Sequence, residues 1–187
     1  MIIGSFFLGL LAILYCWYVS IVVRRNKALE ALSGIDVQLK NRSDLIPNIL
    51  KIAQRFMQHE VQIFTEVTKL REALSQDYNK KNSDAVKQHL IASEELSQKM
   101  SSLMLRAESY PELKSNENMI HAQRSYNEVE AQIAAARRFY NSAVASLRNS
   151  IEIFPGSLVA SLAGVKTMPL CEVDENSKSA VDASKFL

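Results

Sequence analysis

The chain has 187 residues and a formal net charge of +2, with 22 Lys or Arg against 20 Asp or Glu. This balance excludes a broad electrostatic attraction to nucleic acid. The two cysteines, Cys16 and Cys171, stand far apart in different surroundings, which disfavours a disulfide framework or a thiolate metal site. After the first 23 residues, about 164 remain, enough for one domain with its own core.

An uncharged apolar segment runs from Ile2 to Val23 and is followed by Arg24, Arg25 and Lys27. As a helix it covers about 33 Å, which is enough to cross the hydrocarbon core of a bilayer. No basic residue precedes it and no small-residue cleavage site follows it, so it predicts a retained anchor rather than a removed signal. The basic flank predicts that the N-terminus is outside and that the chain from residue 24 onward is cytoplasmic.

Small residues recur along one face of this segment at spacings of four, three, four and four. They are Ser5, Gly9, Ala12, Cys16 and Ser20. Because small residues let membrane helices approach closely, this face predicts a homo-oligomer formed through the span. A single anchor in which the small residues recur by chance is an equally open alternative.

Basic residues are in excess next to the span. The stretch from residue 24 to residue 55 contains seven Lys or Arg and three Asp or Glu. An excess of this kind beside a membrane favours anionic lipid. The usual basic flank of an anchor, joined to a solvated helix face, explains the same pattern and is the preferred interpretation.

The chain after the span predicts helices, because glycine and proline are few and no strand-like alternation is found. Residues 24–42 are predicted to continue the membrane helix. Ser43 or Asp44 is predicted to cap a second helix, with Pro47 in its first turn, that ends near Asp77. Its apolar stripe consists of Ile49, Phe56, Ile63, Val67, Leu70 and Leu74.

Two further long helices are predicted. Ser83 is expected to cap the third, which ends by Tyr110 because Pro111 follows. Its stripe, interrupted by serines, is Val86, Leu90, Met100, Leu103, Met104 and Ala107. The fourth, from about Glu117 to Glu152, has an apolar seam sustained over about five heptads. The seam is Met119, Ala122, Tyr126, Val129, Ile133, Ala136, Tyr140, Ala143, Leu147, Ile151 and Phe154.

The end of the chain predicts a stop at Phe154-Pro155-Gly156, a short apolar helix from Leu158 to Val165 that ends at Gly164, and a polar, disordered tail over residues 169–187. Long helices joined by short links pack antiparallel. The predicted fold is therefore all-α. A single transmembrane helix, residues 1–23, precedes an elongated antiparallel three- or four-helix bundle, residues 24–168.

The sequence contains no complete motif for catalysis or metal binding. His59-Glu60 resembles the start of a zinc-protease helix, but Ile63 stands where the second histidine is needed. Glu117 and His121 are four residues apart, whereas a di-iron pair needs three. Phosphate-binding loops and nucleophile motifs are also missing from the sequence. We therefore expect no catalytic, cofactor-binding or metal site, and no cofactor.

Glu130, Arg137 and Asn141 share one face of the fourth helix, beside its apolar seam. Asp36, Arg42, Asp44 and Arg71 on other helices are candidate partners. Polar contacts that fix the register between helices are the favoured interpretation. A polar docking groove is the alternative.

Several segments, in order, resemble the LemA family of bacterial membrane proteins. They are IDVQLKNRSDLIPNI (Ile35 to Ile49), His59-Glu60, EVTKLREA (Glu66 to Ala73), AESYPELKSNEN (Ala107 to Asn118), EAQIAAARRFYNSAV (Glu130 to Val144) and Phe154-Pro155. The resemblance implies a single-pass protein of the bacterial plasma membrane with its helical bundle in the cytoplasm and no enzymatic activity.

The expected function is that of a non-enzymatic, membrane-anchored helical scaffold that binds unidentified protein partners or organises the membrane. It contacts the bilayer through residues 2–23. A membrane-surface module that binds anionic lipid is the alternative, and a hydrolase or metalloenzyme ranks third.

Overall fold

The computed structural model describes residues 2–171, with the side chains of residue 5, residues 7–9 and residues 11–171. Six helices follow one another in this range: α1 (Ile2–Ala53), α2 (Val61–Leu74), α3 (Ser83–Ala107), α4 (Pro111–Lys114), α5 (Glu117–Glu152) and α6 (Gly156–Ala163). No strand occurs among residues 2–171. The predicted all-α class is confirmed.

Helix α1 passes without a break from the apolar segment into the bundle. It has 52 residues, which corresponds to about 78 Å. Its apolar side chains are exposed near the start, as at Phe7, Leu8 and Leu11. From Ile21 onward one face is buried. Among the described helices, α1 is the one that is long and apolar enough to cross a membrane.

The predicted helix start at Ser43 or Asp44 is wrong, because α1 continues through Pro47 to Ala53. Proline has no N–H to donate to the carbonyl four residues earlier, which here belongs to Ser43. The Nε of Arg71 donates to that carbonyl oxygen instead, at 2.9 Å. A side chain from α2 thus replaces the missing bond, and the helix tolerates the proline.

A turn over residues 54–60 divides what was predicted as one helix. Phe56 and Met57 lie in this turn, and Met57 is fully buried. The buried side chain of Met57 therefore stabilises this turn. The turn contains neither glycine nor proline, so its residues carry no signal for it. The predicted stripe that runs through Ile49, Phe56 and Ile63 belongs to two helices and the turn between them.

The start of α3 differs from the prediction by one residue. The cap is Asn82 rather than Ser83, and its side-chain oxygen accepts from the backbone N–H groups of Asp84 and Ala85. Helix α3 ends at Ala107, and Pro111 begins the single turn of α4. Asparagine and serine are both strong caps, so the sequence pattern alone did not separate them.

The predicted bounds of the fourth long helix are confirmed by α5. Its seam is buried at most predicted positions, but Phe154 lies beyond the helix end and is 74% exposed. The place of Phe154 on the seam was wrong, because α5 has already ended at Glu152. Helix α6 begins at Gly156, two residues before the predicted start at Leu158, and is capped as predicted by Gly164, whose φ of 64° is in the left-handed region that glycine adopts readily.

Helices α1 and α5 run antiparallel, since Arg24 contacts Ser146 whereas Arg42 contacts Glu130. The hairpin of α2 and α3 packs beside them. Two apolar clusters form the core. The proximal cluster, at the end where α1 leads into the apolar segment, includes Ile21, Ala28, Leu32, Ile35, Leu39, Val86, Leu90, Ile133, Tyr140, Val144, Leu147, Val159 and Ala160. The distal cluster includes Ile46, Ile49, Ala53, Met57, Ile63, Val67, Leu96, Met100, Leu103, Leu113, Met119 and Tyr126.

Candidate functional site

A polar layer separates the two apolar clusters. It consists of Arg42 of α1, Ser93 and Ser97 of α3, and Glu130 of α5. On α1 it lies between Leu39 of the proximal cluster and Ile46 of the distal cluster. Three long helices therefore meet at a charged centre in the middle of the bundle.

Arg42 is the hub of this layer and its side chain is fully buried. Its terminal nitrogens donate to the Ser97 hydroxyl at 2.5 Å and to a carboxylate oxygen of Glu130 at 3.1 Å. They also donate to the Ser93 carbonyl at 3.1 Å and to the Ser93 hydroxyl at 3.2 Å. A buried guanidinium is tolerated only with this degree of pairing, because its desolvation cost is large.

The layer extends along α5 to Arg137. One terminal nitrogen of Arg137 donates to a carboxylate oxygen of Glu94 at 2.5 Å, and the other donates to the Ser93 hydroxyl at 3.2 Å. Ser93 thus accepts from both Arg42 and Arg137. The small hydroxyl at this position connects the two ion pairs into one network.

One helical turn further, Asn141 holds the segment after α6. Its amide nitrogen donates to the Cys171 carbonyl at 2.9 Å, and its amide oxygen accepts from the Cys171 N–H at 2.8 Å. The Tyr140 hydroxyl donates to the Pro169 carbonyl at 2.7 Å. Residues 169–171 of the predicted tail therefore pack against α5, whereas its residues 172–187 lie outside the described residues. The predicted domain boundaries remain predictions.

The polar face predicted on α5 thus makes a different connection at each position: Glu130 contacts α1, Arg137 contacts α3, and Asn141 contacts the C-terminal segment. Of the four candidate partners, Arg42 does meet this face. The other three bond elsewhere, with Asp44 paired to Lys40, Arg71 bonded to the Ser43 carbonyl, and Asp36 bound in the clamp described below.

Sequence reasoning missed Ser93, Ser97 and Glu94 as partners. Their signal was the interruption of the α3 stripe by serines. A serine at a stripe position is buried there, as Ser93 is, and so needs a hydrogen-bond donor from a facing helix. The arginine that supplies it could not be selected without knowing the register between α1 and α3.

A second polar cluster, here called the loop clamp, ties the α2–α3 connection to α1. The Asp36 carboxylate forms an ion pair with the Lys80 Nζ at 2.6 Å and accepts a hydrogen bond from the Tyr78 hydroxyl at 3.0 Å. His89 stacks on Tyr78 with ring centroids 4.0 Å apart, and its Nε2 is 3.5 Å from Asp36. Burial opposes the charge of Asp36, but the bonds from His89, Lys80 and Tyr78 outweigh it and lower the pKa of this carboxyl.

At the proximal end, the corner between α5 and α6 is seated on the apolar segment of α1. The Trp17 indole N–H donates to the Ser150 carbonyl at 3.4 Å, and Arg24 donates to the Ser146 hydroxyl. Gly156 fits tightly here, since a Cβ would lie 1.9 Å from the Ser150 oxygen and 2.6 Å from the Trp17 Nε1. A larger residue at 156 would force α6 away from α1.

These clusters connect helices. In the part of the chain that the structure describes, no three His, Cys, Asp or Glu side chains lie close enough together to hold a metal ion. The Cys171 thiol has its pKa raised to about 11, first by burial, so it stays protonated near neutral pH. Burial and the nearby Glu130 charge likewise raise the pKa of the Tyr126 hydroxyl. The geometry of these clusters is that of polar contacts that fix the register between the helices.

The fold defines a helical-bundle protein whose first helix leads into a segment that could cross a membrane. The family model described as the LemA family matches residues 31–185. The chain therefore belongs to the LemA family, as its sequence segments indicated. No curated protein matches the chain.

Proposed function

We propose that this protein is a membrane-anchored helical scaffold without enzymatic activity, and that its bundle binds protein partners or organises the membrane. The continuity of α1 carries the proposal. One helix supplies both the exposed apolar segment and a wall of the bundle core. With no flexible linker between them, the anchor would hold the bundle in a fixed position against the membrane.

The proposed orientation has the N-terminus outside and the bundle in the cytoplasm of a bacterial cell. Arg24, Arg25 and Lys27 support it through the positive-inside rule. A cysteine introduced at the exposed loop residue Asp77, in a Cys16→Ala background, should resist a membrane-impermeant maleimide in intact cells and react after permeabilisation. Efficient labelling in intact cells would reverse the topology.

Partner binding by the full-length protein can be tested by cross-linking in native membranes followed by affinity purification. The scaffold proposal expects a defined partner that is retained by the wild type. Recovery of the chain alone under several cross-linking chemistries would contradict it.

The alternative, an anionic-lipid module, draws its support from the basic excess between residues 24 and 55. The basic residues of this stretch do not lie together on one surface. Arg42 is buried in the core, Lys40 is paired with Asp44, and Lys51 lies about 40 Å from Arg24 along the helix. Vesicle flotation of a chain that lacks residues 2–13 separates the two proposals, because only the lipid module requires anionic lipid for binding.

We also propose self-association through the small-residue face of the span. The side chains of Ala12 and Cys16 on this face are exposed, and a Cβ at Gly9 would meet nothing within 4 Å. Mild oxidation should cross-link two copies through Cys16, and Gly9→Ile should prevent it by blocking close approach. Equal cross-linking of both variants would mean that the small residues recur by chance.

A further inference from the structure

The corner between α5 and α6 exposes large apolar side chains that the bundle does not cover. They are Ile153, Phe154, Leu158 and Leu162, with exposed fractions of 58%, 74%, 57% and 90%. The chain carries no charge from residue 153 to residue 165, between Glu152 and Lys166. Four large exposed apolar side chains within ten residues mark a site that interacts with a protein or a membrane.

The position of this corner along α1 indicates that its contact is the bilayer. The corner is bonded to Trp17, seven residues before Arg24, the first basic residue of α1. Seven helical residues correspond to about 10 Å. The headgroup region on each side of a bilayer is about 5–8 Å thick. With Arg24 among the headgroups, Trp17 reaches the edge of the hydrocarbon, and the corner lies at the same level.

Helix α5 gives the same level independently. Arg24 contacts Ser146, and α5 continues for six residues toward the membrane before it ends at Glu152. That continuation adds about 9 Å. The end of α5 and the start of α6 therefore lie inside the length of the apolar segment, not beyond it.

We propose that the α5–α6 corner inserts its apolar side chains into the bilayer interface, as a second membrane contact beside the span. This inference rests on the proposed membrane anchoring of α1. The occupant is lipid, because the corner lies at the level of Tyr18 and Val19, exposed apolar side chains of α1 next to Trp17. Burying the corner removes apolar area from water, and the charges that flank it, Glu152 and Lys166, stand outside the uncharged stretch.

Two membrane contacts would fix the rotation and tilt of the bundle, which a single membrane helix leaves free. A single span can rotate about its axis and tilt, whereas a span joined to an inserted corner holds one face of the bundle toward the membrane. Gly156 is the residue that makes this arrangement compact, because it lets the corner approach Trp17. The bundle would then present the same lateral surface to every partner.

The test uses the full-length protein in neutral lipid vesicles, with a fluorophore on one introduced cysteine. The background is Cys16→Ala, with the buried Cys171 left in place. Leu162→Cys samples the corner, Ile13→Cys samples the span, and Leu105→Cys is the matched control, an exposed leucine of α3 beside the distal cluster. Lipids that carry a shallow spin label should remove most of the emission at positions 162 and 13 and leave position 105 unchanged.

The other outcomes each overturn a stated part. Quenching at 13 with none at 162 rejects the corner contact and leaves the anchor intact. No quenching at 13 rejects the anchoring itself, and the inference with it. A label at 162 that is shielded from water, unquenched by lipid and exposed on dilution into excess lipid would show a second copy of the chain on the corner, which also rejects the lipid contact.

Discussion

The proximal and distal halves of the bundle are closed by different means. In the distal half, the cover comes from segments that are near in sequence. Helix α2 follows α1 directly, and the single turn of α4 lies between α3 and α5, and both pack in the distal cluster. In the proximal half, the cover comes from segments far along the sequence, namely α6 and the residues around Met168 and Cys171. The half nearest the apolar segment therefore depends on the C-terminal part of the chain.

The residues that cover α1 therefore change along its length. The side chains of the apolar segment are exposed, the following part of α1 contacts α6, and its last turns pack in the distal cluster with residues of α2 and α3. The polar layer at Arg42 marks the boundary between the two halves. Because its partners come from α3 and α5, the layer fixes where both helices stand along α1, and a shift of one turn would leave buried charge unpaired.

The largest expected effect comes from removing the hub of the polar layer. Arg42→Met should lower the free energy of unfolding by about 3–5 kcal/mol, because Glu130, Ser97 and the Ser93 carbonyl lose the hydrogen bonds that Arg42 donates. Denaturant titration of the full-length protein in mild detergent measures it, with the single tryptophan, Trp17, as the reporter. Arg138→Met, at an exposed position on α5, is the control and should change stability little.

The double variant Arg42→Met with Glu130→Leu sharpens this result. It removes both charges, so much of the lost stability should return. A single Arg42→Met variant within about 0.5 kcal/mol of the wild type would show that the layer contributes no more than an exposed contact.

A purely apolar deletion in the proximal half should cost slightly less. Ile133 is 1% exposed, and Ile133→Ala should lower the free energy of unfolding by about 2–5 kcal/mol through lost burial and a residual cavity. Ile120→Ala makes the same deletion at a half-exposed position on the same helix and should cost far less. Equal losses for the two variants would mean that Ile133 does not act as a core residue.

Helices with a regular apolar pattern were predictable from the sequence. Features that depend on a side chain from elsewhere in the fold were not. The bounds of α5 followed from a sustained seam with clear ends, and the glycine that ends α6 followed from its left-handed preference. The continuation of α1 through Pro47 was not predictable, since the bond that compensates for it comes from Arg71 on another helix. The turn over residues 54–60 was missed because a buried methionine holds it.

The candidate sites show the same division. One face of α5 was predicted as polar, and Arg42 was named among its partners, because charged residues at helical spacing can be read from the sequence. Ser93 and the loop clamp depend on the register between helices and on a loop conformation. The seating of the α5–α6 corner on Trp17 depends on the path of the chain after Pro155.

The loop clamp should give a smaller, pH-dependent effect. Asp36→Asn keeps the shape but removes the charge that Lys80 and His89 contact, and should cost about 1–3 kcal/mol near neutral pH. The folded-state pKa of Asp36 lies below its unfolded value. Its contribution is therefore complete above the unfolded pKa of about 4 and is lost as the pH falls through the lowered folded pKa.

Unfolding curves of wild type and Asp36→Asn should consequently converge in acid. Asp77→Asn, in the same loop but exposed, is the matched control and should run parallel to the wild type throughout. A stability difference that persists unchanged below the folded pKa would show that Asp36 acts by packing rather than by charge.

The smallest expected effect concerns the proline inside α1. Arg71→Met removes the donor to the Ser43 carbonyl and should cost about 1 kcal/mol. In a Pro47→Ala background, the new N–H at residue 47 can donate to the same carbonyl, so the Arg71→Met cost should shrink by about 0.5 kcal/mol or more. Packing of the Arg71 stem is lost in both backgrounds and cancels in the cycle. Hydrogen exchange of the distal end of α1 measures each variant. Equal costs in the two backgrounds would show that the Arg71 bond does not compensate for the proline, and that the burial of the surrounding residues alone carries α1 through Pro47.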